Sequence, residues 1–306
     1  MLPTITDIAN RSLSSAHFPK SMKHALVKPL IKTSSLDPSG CKNYRQVCNL
    51  GFVSKIIEKV VTDQLKSYLY ANNLDDEVQP AYKKNHSTET TLLKVVSDIY
   101  SSIDQHQGMI LMLLDLHATF DTVNYDILVG QLARRLGIKG VVLQWLNSYL
   151  RTRTQTVTIM DAISVLAELF LGVPEGSVLR LLLFVLYVFP LSDIARQHGV
   201  SIHSYGDDTQ LYISFYHRDL SSISKAVKTL ECCIDDIGIW MLRNWRHHVT
   251  APSCRFNIQQ GRWGPQNQTY CLFRGLGSRG FVVRHSTMQH PHYGISSQTN
   301  WTSSFN

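Results

Sequence analysis

Apolar and polar positions repeat with two different periods along the 306-residue chain, and the switches between them mark its elements. Phe52, Val53, Ile56, Ile57, Val60, Val61, Leu65 and Leu69 recur at helical spacing and run into Asn72 and Asn73, which predicts a helix that stops there. Residues 88–103 form a second amphipathic stretch behind Ser87, a residue type that starts helices by capping their free N–H groups. Residues 109–114 are apolar without a break, and a run that short fits a strand buried on both faces, ending at Asp115. Asn124 predicts the start of a helix that stops at Gly137, with Arg134 and Arg135 near its negative end. Residues 154–159 and 165–171 read as a hairpin leading into Gly172, and residues 177–196 as one buried helix kinked at Pro190. Residues 200–204 and 209–215 alternate strictly and carry β-branched and aromatic types, so they predict a hairpin around Gly206, Asp207 and Asp208. Helices laid over a small antiparallel sheet make the fold class α+β.

Composition and charge narrow this picture. The length allows one large domain or two ordinary ones with a substantial core. Residues 179–191 are the greasiest segment, but they are too few for a bilayer and are interrupted by Arg180 and Pro190, so no membrane span is expected. No charged start with a long apolar stretch opens the chain, and the expectation is an intracellular protein, nuclear or cytoplasmic and not secreted. The six cysteines lack zinc-finger spacing, which makes free thiols the default; His247-His248 and His290-Pro291-His292 have no paired ligands at useful spacing. The net charge of +7 sits mostly in residues 246–306, which hold six arginines and no acid and leave only +1 for residues 1–245. The N-terminal segment is more telling: Lys20, Lys23, Lys28, Lys32, Lys42 and Arg45 make a stretch able to track phosphates or simply to face solvent. Residues 245–306 are rich in Gly, Gln, Ser and His without sustained periodicity, and are expected to be an aberrant tail lacking regular structure.

Adjacent carboxylates at a hairpin tip repel, so Asp207 and Asp208 call for a cation or for a fully solvated position. Alone, the pair reads as a solvated tip and Asp115 as a cap. Together the three suit two Mg²⁺ ions, which take few carboxylates plus substrate phosphates. Two ions about 3.5–4 Å apart stabilise both the attacking and the leaving oxygen of a displacement at phosphorus.

These residues resemble the reverse transcriptases of non-LTR, LINE-type retrotransposons. LDLHATFDTV at 114–123 looks like that family's first catalytic motif, GVPEGSVL at 172–179 like its template and nucleotide motif, and YGDDTQLY at 205–212 like its second aspartate motif. NYR at 43–45, residues 50–59 and residues 79–93 resemble fingers segments, and WLNSYL at 145–150 with RTQ at 153–155 falls between them in the expected order. The resemblance covers roughly residues 2–244.

The resemblance implies a polymerase right hand with fingers over 1–105, a catalytic palm with interleaved fingers elements over 106–244, an antiparallel palm sheet backed by helices, and a missing thumb. It implies RNA-directed DNA synthesis from a primer 3′-hydroxyl and deoxynucleoside triphosphates on an RNA template, with two Mg²⁺ or in their place Mn²⁺. Partners are then an RNA template and a DNA primer, with no membrane; the oligomeric state is left open. Asp115 and Asp207 become the principal metal ligands, Asp208 adds charge or a weaker contact, and the Leu116 carbonyl adds a ligand. Phe120 lies where similar enzymes crowd the sugar 2′ position, and Asp121 reads as a local cap. Lys32 and Arg45 resemble the cations that hold the triphosphate, for which the planar Arg fork suits bidentate contact. Gly172 and Gly176 flank a turn where backbone approaches nucleotide or template closely.

Several positions depart from the pattern. Glu175 stands for the family's Gln, Arg180-Leu181 for Gly-Pro, Gln46 for Pro and Gly206 for Ala. A carboxylate at 175 is repulsive to a triphosphate. The competing expectation is a catalytically inactive retrotransposon remnant that at most binds nucleic acid.

Overall fold

The computed structural model describes residues 2–74, 87–116, 119–244, 258–262 and 269–273. The family-like stretch at 79–86, His117 and the histidine pairs at 247–248 and 290–292 lie outside the described residues. In chain order the elements are α1 (Leu2–Ser14), β1 (His24–Ile31), β2 (Tyr44–Asn49), α2 (Phe52–Ala71), α3 (Thr88–Asp104), β3 (Gln107–Asp115), α4 (Tyr125–Arg134), α5 (Gly140–Leu150), β4 (Arg153–Ile159), β5 (Ala162–Ile163), β6 (Ala167–Leu169), α6 (Arg180–Val188), α7 (Pro190–Gln197), β7 (Ser201–Tyr205), β8 (Asp208–Tyr216), α8 (Leu220–Asn244), β9 (Ile258–Arg262) and β10 (Thr269–Phe273). The class is α+β. The chain divides into two compact units, residues 1–75 with 118–189 and residues 76–117 with 190–306, so it passes through each unit twice. Within the second unit α3 packs on β3.

The first unit is built on a mixed sheet in which β1 pairs antiparallel with β2 and parallel with β4, while β4 takes β5 and β6 antiparallel. The predicted hairpin is present with a shorter return strand, 167–169, and a separate two-residue ladder at its tip. The core beside this sheet is aromatic. Phe18 meets Trp145 and Tyr149 edge-on at 5.5 and 5.1 Å, and Trp145 stacks on Tyr149. Full burial of each such side chain contributes about 1.5–3 kcal/mol. Lys23 is buried beside them, and its ammonium donates to the carbonyls of Ser148 (2.6 Å) and Arg151 (3.2 Å), closing the C-terminal end of α5 with a cation where the helix dipole favours one. Burial, with Arg153 and Lys20 nearby, holds its pKa below the usual lysine value.

Helix starts follow the sequence. Asn124 accepts from the N–H groups of Asp126 (2.9 Å) and Ile127 (3.2 Å), and Gly137 takes the left-handed conformation beyond α4. Ser87 and Thr90 form a reciprocal capping box at α3. The single kinked helix expected over 177–196 is instead two helices that break at Phe189. Pro190 lacks an N–H and its ring clashes with the preceding turn, so it opens α7 as a first residue rather than bending one helix. Ser177 precedes α6, where its hydroxyl accepts from Leu179 and Arg180 N–H.

The second unit holds a sheet of order β7-β8-β3-β10-β9. Met109, Ile110, Leu111, Met112 and Leu114 are all buried, as the unbroken apolar run requires. Val95 and Ile99 of α3 pack against Met109, Leu111 and Tyr212. The Tyr212 hydroxyl donates to Asp98 at 2.6 Å; burial and that carboxylate drive the phenol pKa up. Two segments of the tail depart from the expectation of no regular structure, since β9 and β10 pair antiparallel and β10 joins β3 in parallel. Thr269–Phe273 reads TYCLF, a β-branched, aromatic and apolar run suited to a strand. The rest of the tail lies outside the described residues. Among the described residues no helix is long and apolar enough to cross a membrane, and Cys41, Cys48, Cys232 and Cys233 are free thiols.

Candidate active site

The predicted site residues divide between the two units. In the second unit, β3 and β8 pair in a register that sets Asp115 opposite Asp208, and β7 sets Tyr205 opposite Asp208 from the other side. Directly opposite positions in an antiparallel ladder lie on one sheet face, with Cβ atoms about 4.5–5.5 Å apart. Gly206 and Asp207 are then the two turn residues. Gly206 has φ 68° whereas Asp207 stays out of the left-handed region, the pattern of a type II′ hairpin, in which Gly is favoured first. A residue with a Cβ in place of Gly206 would carry strain at this φ. Leu116, fully buried, donates its N–H to the Asp207 carbonyl at 3.4 Å and so ties the end of β3 to the turn. Asp207 is half-buried and Asp208 exposed. Among the described residues no group of three or more His, Cys, Asp or Glu is placed so as to hold a metal ion. By residue type carboxylates are the hard oxygen donors that suit Mg²⁺ or Mn²⁺, and the strand register sets backbone positions 115 and 208 opposite each other beside the turn that carries Asp207.

In the first unit the loop from Gly172 to Gly176 is pressed against two neighbours. Gly172 N–H donates to Val123 O (2.9 Å), Val173 N–H to Phe120 O (2.9 Å), and the buried Tyr125 hydroxyl to Gly172 O (3.0 Å). Gly172 has φ 85°, and a Cβ there would lie 2.7 Å from Asp121 O; one at Gly176 (φ 73°) would lie 2.5 Å from Cys48 O. Both glycines are therefore required by positive φ and by backbone contact at once. Gly172→Ala is expected to cost about 3 kcal/mol, from left-handed strain plus the forced separation of the two strands of chain. Urea denaturation of the variant checks it, and a loss under about 1 kcal/mol would mean the loop relaxes freely.

Glu175 is half-buried, and its carboxylate accepts from the Cys48 thiol at 3.6 Å. Burial raises its pKa, Arg180 opposes that, and Asp121 adds to it. The same surroundings, burial first and then Glu175, push Cys48 up to about 12, so the thiol is no nucleophile. Phe120 stacks on Phe184 with ring centroids 4.0 Å apart. Arg45 is exposed on β2, opposite Leu30, and Lys32 follows β1 with its N–H on Asn43 O, so both cations stand at the same end of the β1–β2 ribbon.

Two contributors, Arg180 and Glu58, were not assigned roles from sequence. Arg180 donates to Val173 O (3.1 Å), pairs with Asp121 (3.3 Å) and sits 4.7 Å over the Phe120 ring. Asp121 is thus the partner of Arg180 rather than a cap. Glu58, fully buried in α2, accepts from Ser54 Oγ and from Val178 N–H, both at 2.7 Å, and anchors the chain just after the 172–176 loop. A charged residue opening the most apolar segment, and an acid on the apolar face of α2, were the available signals.

The chain is similar in sequence to several known proteins. The chain is 27% identical over 207 residues to the probable RNA-directed DNA polymerase from transposon X-element of Drosophila melanogaster, covering 67% of this chain and 22% of that protein. It is 26% identical over 284 residues to the RNA-directed DNA polymerase from mobile element jockey of the same organism, covering 91% of this chain and 29% of that one. The corresponding protein of transposon BS is 24% identical over 77% of this chain and 26% of its own length. The chain thus spans less than a third of these relatives. A structure of apo telomerase from Candida tropicalis, truncated from its C-terminal domain, is similar at a TM-score of 0.48 and 12% identity, over 69% of this chain and 47% of that one. The resemblance to retrotransposon polymerases drawn from the motifs is borne out, and since the model for the reverse transcriptase (RNA-dependent DNA polymerase) family matches residues 31–241, the chain belongs to that family.

Proposed function

We propose that the chain carries the fingers and palm of an RNA-directed DNA polymerase, extending a DNA primer on an RNA template. The observation that carries this reading is the register that sets Asp115 against the Asp207-Asp208 turn in a chain of this family. The second unit, with β3, β7 and β8, corresponds to the palm, and β1 with β2 to fingers. In the reaction the primer 3′-oxygen attacks the α-phosphorus of a deoxynucleoside triphosphate, a P–O bond forms and pyrophosphate leaves. Asp115, Asp207 and Asp208 supply the negative charge that would hold two Mg²⁺ or Mn²⁺, with the Leu116 carbonyl as a further oxygen. Bound there, such ions supply charge stabilisation to the oxygens of the displacement. Lys32 and Arg45 bind the triphosphate by charge and, for Arg45, by a bidentate fork. Phe120, fixed by Phe184, limits room at the sugar 2′ position, and Gly172 and Gly176 let backbone approach the nucleotide.

The test is primer extension by the purified chain on RNA and on DNA templates of one sequence, with deoxy- and ribonucleotides offered separately. RNA-templated deoxynucleotide incorporation is expected. Binding of template without extension under any condition would favour the inactive remnant instead.

A further inference from the structure

Tyr149 lies in the last turn of α5 with no exposed surface, and its hydroxyl stands 2.5 Å from Ser177 Oγ. The direction of that bond follows from valence. Ser177 Oγ already accepts from Leu179 N–H (3.1 Å) and Arg180 N–H (3.2 Å), which fills both acceptor positions of a hydroxyl. Its own proton therefore goes to the Tyr149 oxygen, and the phenol is the acceptor. Ser177 N–H in turn donates to Pro174 O at 3.2 Å. The serine thus closes the 174–177 turn with its backbone and ties that turn to α5 with its side chain. Gly176 sits inside the turn, against Cys48 O.

Arg153, only 1% exposed, grips Tyr149 twice. Nη1 donates to Tyr149 O at 2.9 Å, and the guanidinium lies 4.8 Å over the Tyr149 ring. Phe18 edge-on and Trp145 stacked complete the walls around that ring. Arg153 Nε and Nη2 meet no hydrogen-bond partner among the described residues, so the aromatic face and a carbonyl at the negative end of α5 are what hold this buried cation. We propose that Tyr149, held by Arg153, is a positioning residue for the loop that approaches the nucleotide: by accepting the Ser177 proton it fixes the 174–177 turn and Gly176 within it. The inference rests on the polymerase reading and deepens it. Neither side chain touches substrate in this role. Phenylalanine at 149 keeps the ring and its contacts with Phe18, Trp145 and Arg153, but leaves the buried Ser177 O–H without an acceptor. Tyr149→Phe therefore tests the hydroxyl rather than the packing.

The experiment is a double-mutant cycle with Tyr149→Phe, Ser177→Ala and the double variant, together with Arg153→Lys. It is read by single-nucleotide incorporation and by amide hydrogen exchange of the purified chain. Tyr149→Phe is expected to raise KM for deoxynucleotide about fivefold with kcat within about twofold. In the exchange arm the same variant speeds the amides of 174–180 about tenfold and leaves those of α4 in place. The double variant matches Ser177→Ala within about twofold, because without the serine proton the phenol oxygen has nothing to accept. Arg153→Lys raises KM about twofold, since charge survives and the planar stack on the ring does not. Unchanged exchange over 174–180 in Tyr149→Phe, or faster exchange with KM at the parent value, would overturn the positioning role. Single effects that multiply in the double variant would also overturn it, and an Arg153→Lys variant indistinguishable from the parent would overturn the part given to Arg153. Absence of incorporation by every form, parent included, would sink the polymerase reading and the nucleotide role with it, while the exchange arm would still decide whether the Tyr149–Ser177 bond holds the turn.

Discussion

Asp207→Asn is expected to cut RNA-templated deoxynucleotide incorporation by a factor on the order of a hundred to a thousand while leaving stability within about 0.5 kcal/mol of the parent. The asymmetry follows from where Asp207 sits. The fold uses its backbone, whose carbonyl accepts from Leu116 N–H and whose position completes the β7–β8 turn. Asn preserves both, because it has nearly the same shape and tolerates turn conformations. What it removes is one negative charge from the three that we propose hold cations against substrate phosphates. Single-turnover primer extension with thermal melting of the same preparation checks it. Asp161→Asn, at an exposed turn between β4 and β5, serves as a control that removes one acid elsewhere. Equal loss in both variants, or loss accompanied by a collapse in melting temperature, would mean that charge at 207 serves folding rather than reaction.

Glu58→Leu is expected to destabilise the first unit by about 3–5 kcal/mol, the largest stability effect among single substitutions considered. Glu58 is fully buried, and its two oxygens accept from Ser54 Oγ and Val178 N–H. Leucine fills the volume but leaves both donors buried without acceptors, and each unsatisfied donor costs about 1–3 kcal/mol. Val178 follows directly on the loop that presses Gly172 against Val123 and Gly176 against Cys48, so loss of the anchor also loosens that loop. Nucleotide KM should therefore climb even below the melting transition. Glu58→Gln keeps one acceptor and is expected to cost less than half as much. Denaturant unfolding separates the two variants, and a leucine variant as stable as the parent would mean that the Val178 end of the loop is held by other contacts.

The parts of this fold legible in the sequence are those with local signals. The β3 run, the β7–β8 hairpin and the caps at Ser87 and Asn124 each rest on residues within a few positions of one another, and each is present. What escaped depends on distant partners. The pairing of β1 with β4 joins residues 24–27 to residues 154–157, and nothing in HALVKPLI, interrupted by Lys28 and Pro29, announces a strand two elements deep in a sheet. Helix α8 escaped for another reason: its buried seam is Ala226, Leu230, Cys233, Ile237 and Met241, a narrow stripe in which Ala and Cys count weakly as apolar. The kink expected at Pro190 was a break because Pro at a first helical position costs nothing, while within a helix it costs about 3 kcal/mol.

The candidate site divides the same way. Carboxylates and glycines were visible because their chemistry and conformational needs are written in residue type. The contacts of Arg180 were not, because an arginine opening an apolar helix reads as an interruption until the Phe120 ring and the Val173 carbonyl are seen beside it. Asp121 followed suit, since its partner lies fifty-nine positions on in the chain.

The claim on which the rest depends is that Asp115, Asp207 and Asp208 form a divalent-cation site. Titration of the purified chain with Mn²⁺, followed by electron paramagnetic resonance, measures this without requiring turnover. The expected result is saturable Mn²⁺ binding by the parent, strengthened by a deoxynucleoside triphosphate, and lost in the Asp115→Asn, Asp207→Asn, Asp208→Asn triple variant. Equal Mn²⁺ binding by the parent and the triple variant would contradict it.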